Sequence, residues 1–118
     1  MKNSAFGSRE RLKKSFEFRR VRENGSCFRG KTFGITVLNS GTAKNRLGLS
    51  VGSKAVPLAV NRNCLKRLIR ETFRLNKTRI KNGPHDIVVF VKRPIKGDID
   101  CGEAKSELLA LMGKARIL

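Results

Sequence analysis

The sequence has few of the side chains from which protein active sites are built. It contains one histidine, no tryptophan, no tyrosine, and nine Asp and Glu residues against 27 Lys and Arg. The single histidine, His85, stands at the start of an apolar stretch, and neither a Ser-His-Asp triad nor a histidine-based metal cluster can be assembled around it. We expect a structural or incidental role for His85.

Metal-binding and nucleotide-binding motifs are also missing. Asp98, Asp100 and Glu103 suggest a Mg²⁺ site, but their spacing does not fit an EF-hand loop, and helix capping explains Asp100 with Glu103. Gly48 and Gly52 flank a strand end without the Gly-Lys-Ser/Thr of a phosphate-binding loop. The polypeptide therefore shows no catalytic set and no metal site of its own.

Cysteines and long apolar runs are equally scarce. Cys27, Cys64 and Cys101 are odd in number, far apart and without a Cys-x-x-Cys spacing, so we expect them to be reduced. No apolar run approaches the ~18 residues of a membrane span, and the first residues lack the apolar core of a signal peptide. These absences predict a cytoplasmic protein.

Positive charge is what the sequence has in excess. The formal net charge is +18 and the pI about 11.2, a self-repulsion that is best explained by a polyanionic partner. The hydrophobic content of 39% supports a folded core, and 118 residues suit a single domain, 1–118. Nucleic acid is favoured over an anionic membrane surface, because no Trp- and Leu-rich amphipathic face is present.

Hydrophobic periodicity predicts the order helix, two or three strands, helix, strand, helix. The predicted helices cover residues 15 to 23, 59 to 81 and a segment after Asp100; the predicted strands cover 31–38, 46–51, 86–91 and a short segment at 26–28. Ser15 and Asp100 are expected N-caps. Strands 31–38 and 46–51 are expected to pair as a hairpin across the turn at Asn39-Ser40-Gly41, and residues 86–91 are apolar enough to be covered on both faces. An α+β sandwich follows.

The middle helix, "NRNCLKRLIRETFR" from Asn61, separates its apolar and basic side chains onto different faces. At 100° per residue the apolar face collects Leu65, Leu68, Ile69, Thr72 and Phe73. The neighbouring basic stripe collects Arg62, Asn63, Lys66, Arg67, Arg70, Arg74 and Lys77. Like charges four residues apart destabilise an isolated helix, and Glu71 is the only acid here, so the stripe is better explained by a phosphate-bearing partner than by solvation.

RNA is favoured over DNA, because strands rather than a second helix flank this segment. Asn63 either reads a base edge or caps the helix locally. Phe16 and Phe18 lie on nearly opposite sides of the first helix, so one ring can stay outside the core. Beside the neighbouring arginines, such a ring could stack on unpaired bases.

Four segments in the right order resemble the protein subunit of bacterial ribonuclease P. These segments are "RLKKSFEFRRV" from Arg11, "RLGLSV" from Arg46, "AVNRNCLKRLIRETFR" from Ala59 and "DIVV" from Asp86. The resemblance implies an αβββαβα two-layer sandwich, ribosomal protein S5 domain 2-like, with a left-handed βαβ crossover. General rules of chain handedness would instead favour a right-handed crossover.

The same resemblance implies a function and two sites. The expected function is as the protein component of ribonuclease P, which binds the catalytic RNA and the 5′ leader of precursor tRNA in a 1:1 protein–RNA complex, with Mg²⁺ held by the RNA. The implied RNA-binding helix carries Arg62, Asn63, Lys66, Arg67, Arg70 and Arg74. The implied leader-binding cleft carries Phe18, Arg22, Gly34 and Thr36, with Lys66 near its edge. A structural RNA-binding protein of the ribosome is the alternative.

The sequence departs from the family pattern at several positions. Cys64 replaces the second arginine of the helix motif, which removes one phosphate-gripping side chain. Pro57-Leu58 replaces a small Gly-Asn pair before the helix. Arg22 and Thr36 stand where aromatic residues are common, so leader stacking is expected to depend more on Phe18 and on charge.

Overall fold

The computed structural model describes residues 11–12, 14–39, 45–76, 79–80, 84–95, 97 and 99–117. Within this part of the chain the elements follow the predicted αβββαβα order. They are α1 (Ser15–Asn24), β1 (Ser26–Arg29), β2 (Phe33–Asn39), β3 (Arg46–Ser50), α2 (Ala59–Leu75), β4 (His85–Val91) and α3 (Cys101–Lys114). The predicted turn at residues 40–41, and Lys77, 81–83 and Asp98, lie outside the described residues.

The four strands form one mixed sheet in the order β1-β2-β4-β3. β4 pairs antiparallel with β2 and parallel with β3, so the predicted hairpin between β2 and β3 is wrong. The uninterrupted apolar run of β4 explains this order, because a central strand has neighbours on both edges and cover on both faces. α2 then provides the long connection that a parallel β3–β4 pair requires. That the β3–α2–β4 crossover is left-handed remains a prediction from the family resemblance.

The main core lies between one face of the sheet and the helices α2 and α3. The sheet is one layer of the sandwich, and these two helices are the other. The pattern of β2 left open which of its faces meets these helices, and the structure assigns the face of Phe33 and Ile35, both almost completely buried. The other large, fully buried side chains of this core are Val56, Leu65, Ile69, Phe73, Ile87, Val89, Leu108, Met112 and Ile117. The apolar stripe of α2 is thus the packed one, as its periodicity predicts.

The opposite face of the sheet is covered in part by α1. Val21 of α1 is fully buried against Leu12 and Val88, and the half-buried Phe18 packs beside them. The Phe18 ring lies over Gly48 of β3, where a Cβ atom would come within 2.8 Å of the ring. Phe16 is the ring left outside, with 63% of its surface exposed.

Several element ends differ from the sequence prediction, and hydrogen bonds from side chains accompany the three differences described next. Lys14 rather than Ser15 is the N-cap of α1, and its backbone N–H donates to the Glu17 carboxylate at 3.0 Å. β2 begins at Phe33 rather than at residue 31, and the Phe33 N–H donates to Glu107 of α3. α2 ends at Leu75, not at residue 81.

Asparagine and aspartate side chains act at the ends of the two longer helices. The side-chain amide of Asn76, the C-cap of α2, donates to the Thr72 carbonyl at 2.8 Å, and the backbone N–H of Asn76 donates to the same carbonyl at 3.2 Å. The predicted N-cap Asp100 is confirmed, because its carboxylate accepts the Glu103 N–H at 3.0 Å.

Candidate RNA-binding surfaces

A basic groove of about 420 Å³ runs along the outer face of α2. Its lining residues are Arg11, Asn63, Lys66, Arg67, Arg70, Glu71 and Arg74. All the side chains of the predicted RNA-binding helix except Arg62 are therefore brought together in one concave surface. Arg11, which precedes α1 in the chain, joins them because its backbone bridges to Leu47 at the edge of the sheet.

The cations of this basic groove are not equivalent. Glu71 is the only acid among the described residues that line it, and it accepts two hydrogen bonds from Arg74, the Nε–Oε2 bond being 3.0 Å long. This contact lowers the pKa of Glu71, mainly because the guanidinium donates to the carboxylate. Among the described residues, no ion pair includes Lys66, Arg67 or Arg70. Three positive charges of the groove therefore lack a carboxylate partner there.

Arg62, the remaining cation of the predicted RNA-binding helix, contacts the turn that precedes α2. Its guanidinium donates to the carbonyl oxygens of Val56 and Pro57, both at 2.9 Å, and does not line the basic groove. It closes the turn before α2, where the chain departs from the family pattern at Pro57-Leu58. Asn63, in contrast, is exposed and lies in the groove.

A second groove, of about 980 Å³, lies between α1 and the sheet. Its cationic rim consists of Arg19, Arg22, Arg29 and Lys54. Phe18, Arg22 and Thr36, three of the four predicted cleft residues, line it. We call it the sheet groove. Its floor is largely uncharged and its rim is basic, which suits an extended anionic chain with apolar bases.

The fourth predicted cleft residue, Gly34, lies beneath the ring of Phe90. A Cβ atom at Gly34 would come within 2.2 Å of that ring, and the two residues face each other across the β2–β4 pair. Phe90 is partly exposed and lines the sheet groove, a position that sequence analysis missed by assigning the whole of β4 to the core. Gly34 was the sequence signal for such a contact, because a strand residue without a side chain leaves room for an aromatic ring from the neighbouring strand.

A small cavity of about 150 Å³ lies between the two grooves. Phe18 contributes to this cavity and to the sheet groove, while Lys66 and Arg70 contribute to it and to the basic groove. Lys66 therefore lies between the two predicted sites, in keeping with the expectation that it stands near the edge of the cleft. The two grooves are neighbouring parts of one basic surface.

An ion-pair network fixes α1, the wall of the sheet groove, to the sheet. Asp86, with a side chain 1% exposed, accepts hydrogen bonds from Nε and Nη2 of Arg46 at 2.9 and 2.8 Å. Nη1 of the same guanidinium donates to Glu17 of α1 at 2.9 Å. The pKa of Arg46 is raised, first by the hydrogen bond to Asp86. Sequence analysis missed this network, since its members are far apart in the chain.

The described part of the chain offers neither a metal site nor a membrane-spanning helix. Among the described residues, no group of three or more His, Cys, Asp and Glu side chains could hold a metal ion. The described helices also include none that is both long and apolar enough to cross a membrane.

An α+β sandwich that carries two adjoining cation-lined grooves defines the class of a nucleic-acid-binding protein. The family model for ribonuclease P matches residues 6–116. The ribonuclease P protein component of Alkaliphilus metalliredigens is 38% identical over 111 residues, which cover 94% of this chain and 97% of that protein. The corresponding protein of Syntrophobacter fumaroxidans is 41% identical over 109 residues, covering 92% and 90%.

The solved structures agree with the sequence comparisons. The crystallised ribonuclease P protein of Staphylococcus aureus superimposes with a TM-score of 0.82 at 31% identity, covering 92% of this chain and 96% of that one. The chain belongs to the ribonuclease P protein family, as the residue pattern predicts. Its partner is accordingly RNA, and it takes part in the ribonuclease P enzyme. The alternative of a ribosomal structural protein is not supported.

Proposed function

We propose that the chain is a single domain, 1–118, that binds the catalytic RNA of ribonuclease P through the basic groove and the 5′ leader of precursor tRNA through the sheet groove. The observation that carries the proposal is the pair of adjoining basic grooves, with Lys66, Arg67 and Arg70 lacking carboxylate partners in the described chain. The complex would contain one protein and one catalytic RNA.

The basic groove suits a folded RNA because its charges are fixed on a rigid helix. The buried side of α2 packs on the sheet through Leu65 and Ile69, which holds Arg67 and Arg70 outward at constant spacing. Guanidinium groups present planar pairs of donors that match phosphate oxygens. Each phosphate contact releases counterions, so we expect affinity to fall steeply as salt increases.

The sheet groove suits a single strand because its aromatic surfaces are separate from its cations. Phe18 and Phe90 present partly exposed rings at the groove, whereas Arg19, Arg22 and Arg29 line its rim. Bases can stack on aromatic rings without sequence preference, while the cations follow the backbone phosphates. A leader must be accepted whatever its sequence, and this combination meets that requirement.

Endonucleolytic hydrolysis of the leader bond is assigned to the RNA subunit, together with the Mg²⁺ that it requires. The protein's contribution is then to neutralise phosphates and to hold the leader beside the catalytic RNA. Both are positioning effects, which convert binding energy into correct alignment of the scissile bond.

The test is cleavage of precursor tRNA by a bacterial ribonuclease P RNA at low Mg²⁺, with and without the protein. Substrates with a long leader and with a leader of a single nucleotide are compared. We expect stimulation that is larger for the long leader. Absence of stimulation would remove the proposal, and equal stimulation for both substrates would remove the assignment of the sheet groove.

A further inference from the structure

Two cysteine sulfurs meet at the boundary between α2 and α3. The Sγ atoms of Cys64 and Cys101 are 4.0 Å apart, although 37 positions separate the residues in the chain. Cys101 is the first residue of α3 and is exposed, and Cys64 is half-buried on α2. Neither cysteine lines the basic groove or the sheet groove. The pair therefore has no part in the proposed RNA contacts.

A hydrogen bond holds the two segments in this arrangement. The side-chain amide of Asn61, in the first turn of α2, donates to the carbonyl of Gly97, shortly before α3, at 2.9 Å. The contact with Cys64 also raises the pKa of the Cys101 thiol, mainly because the two side chains are hydrogen-bonded. A disulfide bond is about 2.05 Å long, so the sulfurs need to approach by only about 2 Å.

We propose that Cys64 and Cys101 form an oxidation site that a low-molecular-weight disulfide converts into an intramolecular disulfide between α2 and α3. One protein thiolate attacks the small disulfide, forms a mixed disulfide and releases one small thiolate. The other protein thiolate then attacks the protein sulfur of that mixed disulfide and releases the second. In sum, two protein S–H bonds are lost, one S–S bond forms, and the small disulfide is reduced to two thiols.

The cross-link has a stabilising effect and leaves the basic groove open. It closes a loop that contains most of α2 and all of β4, which restricts the unfolded chain. Cys64 lies about 120° around the helix from Arg70, on the side of α3. Oxidation of two neutral thiols does not alter the charge of the groove. This last consequence rests on the proposed function, whereas the formation of the disulfide does not.

Two variants with equal numbers of cysteines test the proposal. Cys27→Ser retains the pair, and Cys64→Ser retains Cys27 and Cys101. Each full chain is incubated with glutathione disulfide and measured by intact mass. We expect the mass of Cys27→Ser to fall by two hydrogens, with linkage of the peptides that contain Cys64 and Cys101. Cys64→Ser should show only glutathione adducts. The Tm of oxidised Cys27→Ser should rise by more than about 5 °C and return on reduction.

Several outcomes would overturn the inference. They are equal mass changes in the two variants, adducts or intermolecular dimers alone in Cys27→Ser, and a linkage other than Cys64 to Cys101. If Cys27→Ser does not fold, peptide mapping of the oxidised natural chain decides the same question. An RNA titration of the oxidised and reduced forms separates the two proposals. Failure of both forms to bind RNA refutes the proposed function. Loss of binding only on oxidation refutes the inference that the disulfide leaves the basic groove open.

Discussion

The clearest prediction concerns two arginines that sequence alone treats as equivalent. Arg70 and Arg74 are four residues apart on the basic stripe, but only Arg74 is paired with Glu71. If both touch phosphates, loss of Arg70 removes a full contact, whereas loss of Arg74 removes a charge that is already paired with a carboxylate. We therefore expect Arg70→Gln to weaken RNA binding much more than Arg74→Gln.

The magnitude follows from the number of contacts. One charge-assisted hydrogen bond contributes about 1.5 kcal/mol, which corresponds to roughly tenfold in affinity at low salt. The slope of log K against log salt should become shallower by about 0.7 to 0.9 for Arg70→Gln. Arg74→Gln should change the slope by less than about half of that, and Glu71→Gln should steepen it, because it frees Arg74 for phosphate.

The assay is an RNA titration by fluorescence anisotropy at salt concentrations from about 50 to 200 mM, with labelled ribonuclease P RNA. Glu103→Gln is the matched control for Glu71→Gln, since it removes an exposed acid of α3 that does not line the basic groove. Equal slopes for Arg70→Gln and Arg74→Gln would refute the reasoning. So would an unchanged slope for Arg70→Gln, because the side chain would then face solvent in the complex.

Four further predictions concern stability and the sheet groove. Asp86→Asn should destabilise the fold by about 3 kcal/mol in urea unfolding, because it leaves the partly buried Arg46 without its main partner. Phe90→Ala should weaken leader binding by about 1 to 3 kcal/mol in competition titrations, if the ring stacks on a base. Gly34→Ala should also weaken it, by displacing that ring. The pKa of Glu71 is lowered on folding, so its contribution to stability is present above the ordinary Glu pKa and is lost as pH falls through the folded value. The difference in Tm between the natural chain and Glu71→Gln should therefore shrink on acidification.

These predictions have their own controls. Arg46→Met combined with Asp86→Asn should cost less than the sum of the single changes, and additive costs would show that the pair does not interact. Gly113→Ala is the match for Gly34→Ala, because a Cβ atom there meets no atom within 4 Å. It should leave leader binding unchanged. Tight leader binding by Phe90→Ala would mean that the Phe90 ring does not stack on a base.

The sequence predicted the element types well, for a local reason. Alternating or helical spacing of apolar residues is a property of neighbouring positions, so β2, β3, α2 and α3 were recognised, although the predicted end of α2 at residue 81 lies well beyond its observed end at Leu75. The position of β4 between β2 and β3 was not recognised, because strand pairing depends on residues far apart in the chain. Hydrogen bonds from other segments, such as Glu107 to Phe33, set some of the exact ends.

The candidate site, too, could be predicted from the sequence only in part. The charge stripe of α2 is visible in the sequence because a helix places Asn63, Lys66, Arg67 and Arg70 on one face by geometry alone. The structure adds what each side chain contacts, which the helical wheel does not contain. Arg62 turned out to close the preceding turn rather than line the groove.

The sequence by itself determined the family, through the residue motifs by which it resembles ribonuclease P proteins. It also determined the order of the elements and the excess of positive charge on the middle helix, since these depend on short-range periodicity and on composition. Only the tertiary structure decided that Phe90 covers Gly34, that Arg46 joins Asp86 to α1, and that Cys64 meets Cys101. Each of these contacts joins residues that are distant in the chain, and chain folding alone brings such residues within reach of one another.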